Sequence, residues 1–179
     1  MEFQQVIESR RSIRKYNPEQ KVTKEQMEEL IQAAIMAPSW KNSQTARYYC
    51  VMSEEMFEKV RSECLPPFNA NNVAGAGALI VTAFVKNRSG YEKTGDPTNE
   101  LGNGWGLYDL GIANENLILK AADMGLGTLV MGIRDETKLR EVLDIPEYQI
   151  VVSVIAVGYP TVIPEKKKRK AVEEVTVFL

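Results

Sequence analysis

The stretch that most constrains the fold is Gly106 to Met124, GLYDLGIANENLILKAADM. Leu107, Leu110, Leu117 and Ala121 recur along one side of a helix, and Ile112, Leu119 and Ala122 along another. A helix that is apolar on more than one face predicts burial from two directions. It is then either the centre of one domain or the seam between two subunits, and at 179 residues the seam is favoured. Gly111 and Ala113 would let a second backbone approach closely. Asn114, Glu115 and Asn116 put polar groups mid-helix, where each needs a partner if buried.

The rest of the chain alternates strands and helices around this segment. Arg47–Met52, Ala78–Val85, Thr128–Met131, Gln149–Val157 and Val175–Leu179 read as strands from their β-branched and aromatic content. Ala78–Val85 and Gln149–Val157 are continuous apolar runs, so both faces of those strands should be covered. Val175–Leu179 is too apolar to dangle in water and should add to a sheet, its own or a neighbour's. Helices are expected over Glu2–Ser9, after the Thr23/Gln26 capping box, after Ser53 and after Asp135. Pro66–Asn72 reads as a loop, and Lys86 to Trp105 as a long loop of the kind that forms lids or binding loops. No repeat or linker divides the chain, so 1–179 is expected to be one α/β domain.

Composition then narrows the chemistry. The chain has no histidine, which removes Ser-His-Asp and Cys-His catalysis, HExxH zinc sites and histidine general bases together. An enzyme of this composition would draw its reactivity from a cofactor. Cys50 and Cys64 form no CxxC and no metal-ligand spacing, which suits a reduced, cytoplasmic setting. A net charge of -2 gives no pull toward nucleic acid, and the opening MEFQQVIESRR lacks an apolar signal core.

Several segments are candidate sites, each with a plainer reading. Arg10, Arg11, Ser12 and Arg14 make a plausible anion cradle, since guanidinium forks match phosphate oxygens. From the segment alone, a solvated basic turn is the simpler reading. Pro38, Ser39, Asn42 and Gln44 lie in an amide- and hydroxyl-rich loop that could read a heteroaromatic edge or merely join helix to strand. Tyr91 and Trp105 could stack on a flat substrate or anchor the long loop. Lys166 to Lys170 is a basic run, ordinarily solvated. Gly125-x-Gly127 has the wrong order for a dinucleotide fingerprint, because a helix precedes it and a strand follows. Gly132 could let a backbone N–H approach a ligand.

In order, Arg-Arg-Ser-x-Arg, Ala-Pro-Ser-x-x-Asn-x-Gln, Asp109 through Asn116, Gly-Leu-Gly-Thr, Gly-Tyr-Pro and the basic tail resemble the nitroreductase family of FMN-dependent oxidoreductases over essentially the whole chain. The resemblance implies a central mixed sheet flanked by helices, the long helix at a homodimer interface, and a C-terminal strand exchanged between subunits. It implies FMN as cofactor and NAD(P)H as donor. Arg10, Arg11 and Ser12, with Lys167 and Arg169, would hold the phosphate and ribityl chain, and Arg14 would lie near the flavin N1–O2 edge. Asn42 and Gln44 would bond the ring or ribityl, with Pro38 and Ser39 from across the interface. Met131 and Gly132 match the segment whose backbone passes N5. Trp40 and the glycine-rich 86–105 loop look individual, and Trp40, Tyr91 and Trp105 are expected in the substrate pocket from their aromatic chemistry rather than from the resemblance. The implied activity is hydride transfer from NAD(P)H by way of flavin N5 to a nitroaromatic, quinone or similar acceptor in a ping-pong cycle. A flavin-binding carrier, sensor or electron-transfer protein without its own NAD(P)H turnover is the alternative. Two departures stand out: Leu129-Val130-Met131-Gly132 replaces the Pro-x-Glu-Gly of many members, and Thr45 stands where proline is frequent.

Overall fold

The computed structural model describes residues 2–179. Its order is α1 (Phe3–Ser9), α2 (Lys24–Ile35), β1 (Ala46–Val51), α3 (Glu54–Glu63), α4 (Pro67–Asn72), β2 (Ala78–Val85), α5 (Gly104–Asp123), β3 (Gly127–Met131), α6 (Glu136–Leu143) and β4 (Gln149–Gly158). Local chemistry sets the helix starts. Thr23 accepts from the Gln26 N–H while the Gln26 side chain accepts from the Thr23 N–H, the reciprocal capping box. Ser53 and Asp135 cap α3 and α6 in the same sense.

The strands form one sheet in the order β1-β2-β4-β3. The expectation of a mixed sheet is corrected here: all three ladders are antiparallel. Parallel pairing is confined to one isolated bridge, Ser12 with Thr128. The mixed sheet is implied by the resemblance alone, and the apolar runs cannot check it, because they report burial on both faces and not strand direction. Along β2, Leu79 and Val81 face one core with Val60, Leu139 and Val154, under α3, α4 and α6. Ala78 and Ile80 face the other core with Leu30, Leu117, Ala121 and Ile155, under α2 and α5.

Two further expectations change, and the tail does not join the sheet of its own chain. Pro67–Asn72 is helical, with proline at the first turn, where a missing N–H costs nothing. The segment 175–179 forms no strand and is exposed within the single chain. The long helix begins at Gly104, so Trp105 lies on its first turn rather than in the loop. Only one side of α5 is buried, through Asp109, Leu110, Ala113, Asn114, Leu117, Ile118 and Ala121. Leu107 and Tyr108 are exposed, and a Cβ at Gly111 would meet nothing within 4 Å. At Gly106, by contrast, a Cβ would run into the Phe84 ring, so close packing there requires glycine.

Candidate functional site

The first cleft is built by both ends of the chain. Arg10 ends α1, its N–H bonded to the Val6 carbonyl at 3.0 Å. The segment beyond is pinned to the sheet by the Ile13 N–H on the Thr128 carbonyl (2.8 Å) and by the Tyr16 hydroxyl donating to the Ile13 carbonyl (2.8 Å). The Asn17 N–H donates to the Tyr159 carbonyl, and the Thr161 N–H to the Lys15 carbonyl, so the chain leaving β4 runs beside the same segment. The result is a cavity of about 430 Å³ lined by Arg10, Arg11, Ser12 and Arg14 on one side and Lys166, Lys167 and Arg169 on the other, with Glu115 of α5. Three arginines and a tail of lysines thus converge on one space, which the sequence could suggest only by resemblance.

Glu8 and Glu165 also line this cleft, but among the described residues no ion pair ties them to its cations. Among the described residues none of Arg10, Arg11, Arg14, Lys167 or Arg169 has a carboxylate within ion-pairing distance. Arg11 donates one Nη1 to the Glu8 and Arg10 carbonyls, and its buried Nε has no partner. A buried N–H of a cation without an acceptor is costly.

A second cleft, of about 200 Å³, gathers Pro38, Ser39 and Gln44 with Thr45, Arg47, Asp109 and Ala113. Its loop is unusual in its backbone. Lys41, Asn42 and Gln44 have φ of 45°, 55° and 48°, and left-handed non-glycine residues persist where their surroundings hold them. The holder is Asp109, which is 6% exposed. Its carboxylate accepts the Trp40 N–H at 3.1 and 3.0 Å and the Ser89 hydroxyl at 2.6 Å. Ser89 spends its proton on Asp109, so Ser43 at 2.7 Å donates to Ser89, and Thr45 lies 3.3 Å away. Ser39 Oγ accepts the Gln44 N–H at 3.0 Å. Thr45, itself buried, therefore adds a hydroxyl to this knot.

Other candidate residues fall outside both clefts. Asn42 is exposed and lines neither. Met131 is a core residue, 3% exposed, and Gly132 is exposed just beyond β3. Trp40 and Trp105 pack against each other with ring centroids 4.6 Å apart, and Trp105 meets Tyr108 edge-on at 5.8 Å. The Trp105 indole N–H donates to Asn99 at 2.9 Å. Tyr91 forms no ring pair with the tryptophans among the described residues and lines a third cavity beside Arg47 and Lys86. The three aromatics proposed as one pocket wall thus divide between two places. Sequence reasoning missed Ser89 and gave Asp109 no task. A mid-helix carboxylate with no histidine or lysine at helical spacing was the available signal, since such a group must find donors elsewhere.

Comparison with known proteins places the chain in a family. The sequence profile described as the nitroreductase family matches residues 7–159. An Archaeoglobus fulgidus protein named for NADH dehydrogenase or NAD(P)H nitroreductase activity is 34% identical over 160 residues, covering 87% of this chain and 83% of its own. A Bacillus subtilis FMN reductase [NAD(P)H] is 32% identical over 172 residues, covering 92% of this chain and 68% of its own. The crystal structure of a nitroreductase family protein from Clostridium novyi superposes with a TM-score of 0.77 at 28% identity, covering 93% of this chain and 89% of that one. With a profile match across most of its length and relatives above 30% identity over nearly all of it, the chain belongs to the nitroreductase family.

Proposed function

We propose that the protein is an FMN-dependent oxidoreductase that takes electrons from NAD(P)H and delivers them to an electron-poor acceptor such as a nitroaromatic or quinone. The observation that carries this reading is the convergence of Arg10, Arg11 and Arg14 with Lys167 and Arg169 on one cleft, unpaired, with a buried Arg11 Nε lacking an acceptor. A phosphate monoester is the ligand such a donor set fits, because guanidinium forks and ammonium groups together satisfy its several oxygens. The match to an FMN reductase supports FMN as the phosphate's owner.

Bound FMN supplies the hydride-accepting and hydride-donating chemistry. The chain's part is to bind and orient. Arg10, Arg11, Ser12, Lys167 and Arg169 would hold the phosphate and ribityl chain, and Arg14 would bring positive charge to the ring's N1–O2 edge. Pro38, Ser39, Asn42 and Gln44 would meet the ring or ribityl, and the Met131–Gly132 backbone would flank it. Donor and acceptor would use the open side in turn, a ping-pong order. Positioning and fixed charge are the protein's catalytic contribution on this reading.

Two copies of the chain are part of the proposal. Glu115 reaches the arginine cleft while Ala113 lines the amide cleft, and at about 100° per residue these positions lie on opposite sides of α5. One molecule touching both clefts would therefore sit between two chains. The exposed Leu107, Tyr108 and Gly111 suit that seam. The apolar 175–179 tail suits a partner's groove of about 910 Å³, lined by Met27, Ile31, Met52 and Met56 beside the edge strand β1.

The test is the visible spectrum of the purified protein followed by anaerobic NAD(P)H titration. A yellow protein bleached rapidly by either nucleotide is expected. A colourless preparation that takes up no FMN refutes the flavin reading, and a yellow one that no nucleotide bleaches points instead to a carrier or sensor.

A further inference from the structure

A third cavity, of about 650 Å³, lies at the end of the sheet where β1 begins, β2 ends and β4 begins. It is lined by Arg47, Lys86, Arg88 and Lys93, with Tyr91 and Tyr148. Among the described residues none of the four cations has a carboxylate within ion-pairing distance. Glu92, the carboxylate in its lining, lies 3.5 Å from Lys41 outside the cavity. In a chain of net charge -2, four cations against one carboxylate around one concavity concentrate positive potential there.

The cavity is joined to the proposed flavin-edge cleft by one side chain. Arg47 lines both, and its Nη1 donates to the Gln44 and Ala46 carbonyls at 3.1 and 2.7 Å. Its guanidinium is thereby held where the Pro38–Gln44 loop meets the basic cavity. Tyr148 is fixed at the rim by its carbonyl, which accepts the Lys86 N–H at 2.9 Å. Tyr91 is anchored by its N–H on the Arg88 carbonyl and by pairing with Pro97. Two phenol rings on held backbone among four cations without ion pairs offer a stacking surface next to anion-binding groups. The volume lies within the range of about 300–1,000 Å³ typical of small-molecule sites.

We infer that this cavity binds the phosphoryl end of the pyridine-nucleotide donor, with the adenine against Tyr91 or Tyr148 and the phosphates on Arg47, Lys86, Arg88 and Lys93. The inference rests on the flavoenzyme reading for its donor but not for its ligand chemistry. A phosphorylated adenosine reaches this cavity from outside, while its nicotinamide end would extend past Arg47 toward Gln44. The additional phosphate of NADPH would meet more of the cations than NADH can, so the cavity favours NADPH.

The test uses the full chain as purified and adenosine 2′,5′-bisphosphate as probe. Calorimetry should show binding that weakens steeply with added salt, as an exposed charge cluster requires. In a Lys86→Glu/Arg88→Glu variant the dissociation constant should rise roughly tenfold or more, with flavin content and thermal midpoint unchanged. The KM for NADPH should rise more than that for NADH, and the KM for a neutral quinone should hold. Lys93→Ala, a milder change, should give a smaller rise in the same direction. Bisphosphate affinity that stays the same in both variants overturns the inference. So does a variant that loses affinity for an aromatic carboxylate acceptor while keeping the bisphosphate, because the cavity then serves the acceptor. A wild-type protein that binds the bisphosphate but no FMN would refute the flavin reading and leave the cavity's ligand assigned.

Discussion

Replacing Asp109 by asparagine should loosen the loop that carries Ser39 and Gln44 while leaving the sheet intact. The carboxylate accepts two donors, the Trp40 N–H and the Ser89 hydroxyl, and is buried. Asparagine keeps the shape but offers one oxygen where two were used, so its amide must face a donor. Hydrogen bonds to a charged group are worth about 1.5–3 kcal/mol each, and one of the two would be lost. Against that stands relief from burying a charge, which lowers the net cost toward about 1–2 kcal/mol. The free energy once holding Lys41, Asn42 and Gln44 in the left-handed region would no longer do so. Urea unfolding should therefore show a loss of about 1–2 kcal/mol, and tryptophan emission should change because Trp40 and Trp105 stand 4.6 Å apart. A double-mutant cycle with Ser89→Ala should give a coupling of at least about 1 kcal/mol. FMN affinity should fall alongside, since the loop would sample other conformations. An Asp109→Asn protein of unchanged stability, emission and flavin affinity, with no coupling to Ser89, would refute the view that this carboxylate positions the loop.

Arg10→Ala and Arg169→Ala should each weaken FMN retention by a few kcal/mol, at about 1.5–3 kcal/mol per charged hydrogen bond, as read by flavin release on dilution. Gly106→Ala should destabilise the fold by roughly 1–3 kcal/mol, because its methyl meets Phe84, whereas Gly111→Ala meets open space within the chain. In an isolated chain Gly111→Ala would add up to about 1 kcal/mol of helix stability, so a shift toward monomer on sedimentation would instead show a second copy packed there. Burial pushes the Cys64 thiol up to about 11. The unfolded chain, with its thiol near the ordinary value, then gives up its proton first as pH rises. Stability from this group is therefore full at neutral pH and falls between the ordinary thiol range and about 11, by at most about 1.4 kcal/mol per pH unit. Cys64→Ala should flatten that part of a urea-midpoint curve against pH.

Periodic and capping signals carried most of the fold. Thr23 with Gln26, Ser53 and Asp135 marked helix starts that the structure places within a residue. The apolar runs of β2 and β4 were legible as buried strands, but hydrophobicity is blind to strand direction, so the antiparallel pairing was not. Leu107 was assigned inward because a 3.6 period sorts residues into faces without saying which neighbour covers each. The tail strand could not be judged from one chain, since an apolar segment that needs a partner strand does not say whose. At the site, the arginines were visible as chemistry, and only the ordered motifs tied them to Lys167 and Arg169. Ser89 was invisible: a lone serine in an irregular loop has no pattern, and its role exists only because the fold brings it 2.6 Å from Asp109.

The cleft closed by Arg10–Arg14 and Lys167–Arg169 has a consequence for the order of events in the cell. Its first half leaves the ribosome early and docks on β3 and the end of β4, which are synthesised more than a hundred residues later. Its second half emerges later still. A nascent chain therefore has no complete cleft until residue 169 has emerged, so a phosphate that needs both halves is held only by a chain synthesised at least that far. Fusing a bulky tag near either segment would crowd the same cleft, so the placement of an affinity handle is itself a variable in any measurement of flavin content.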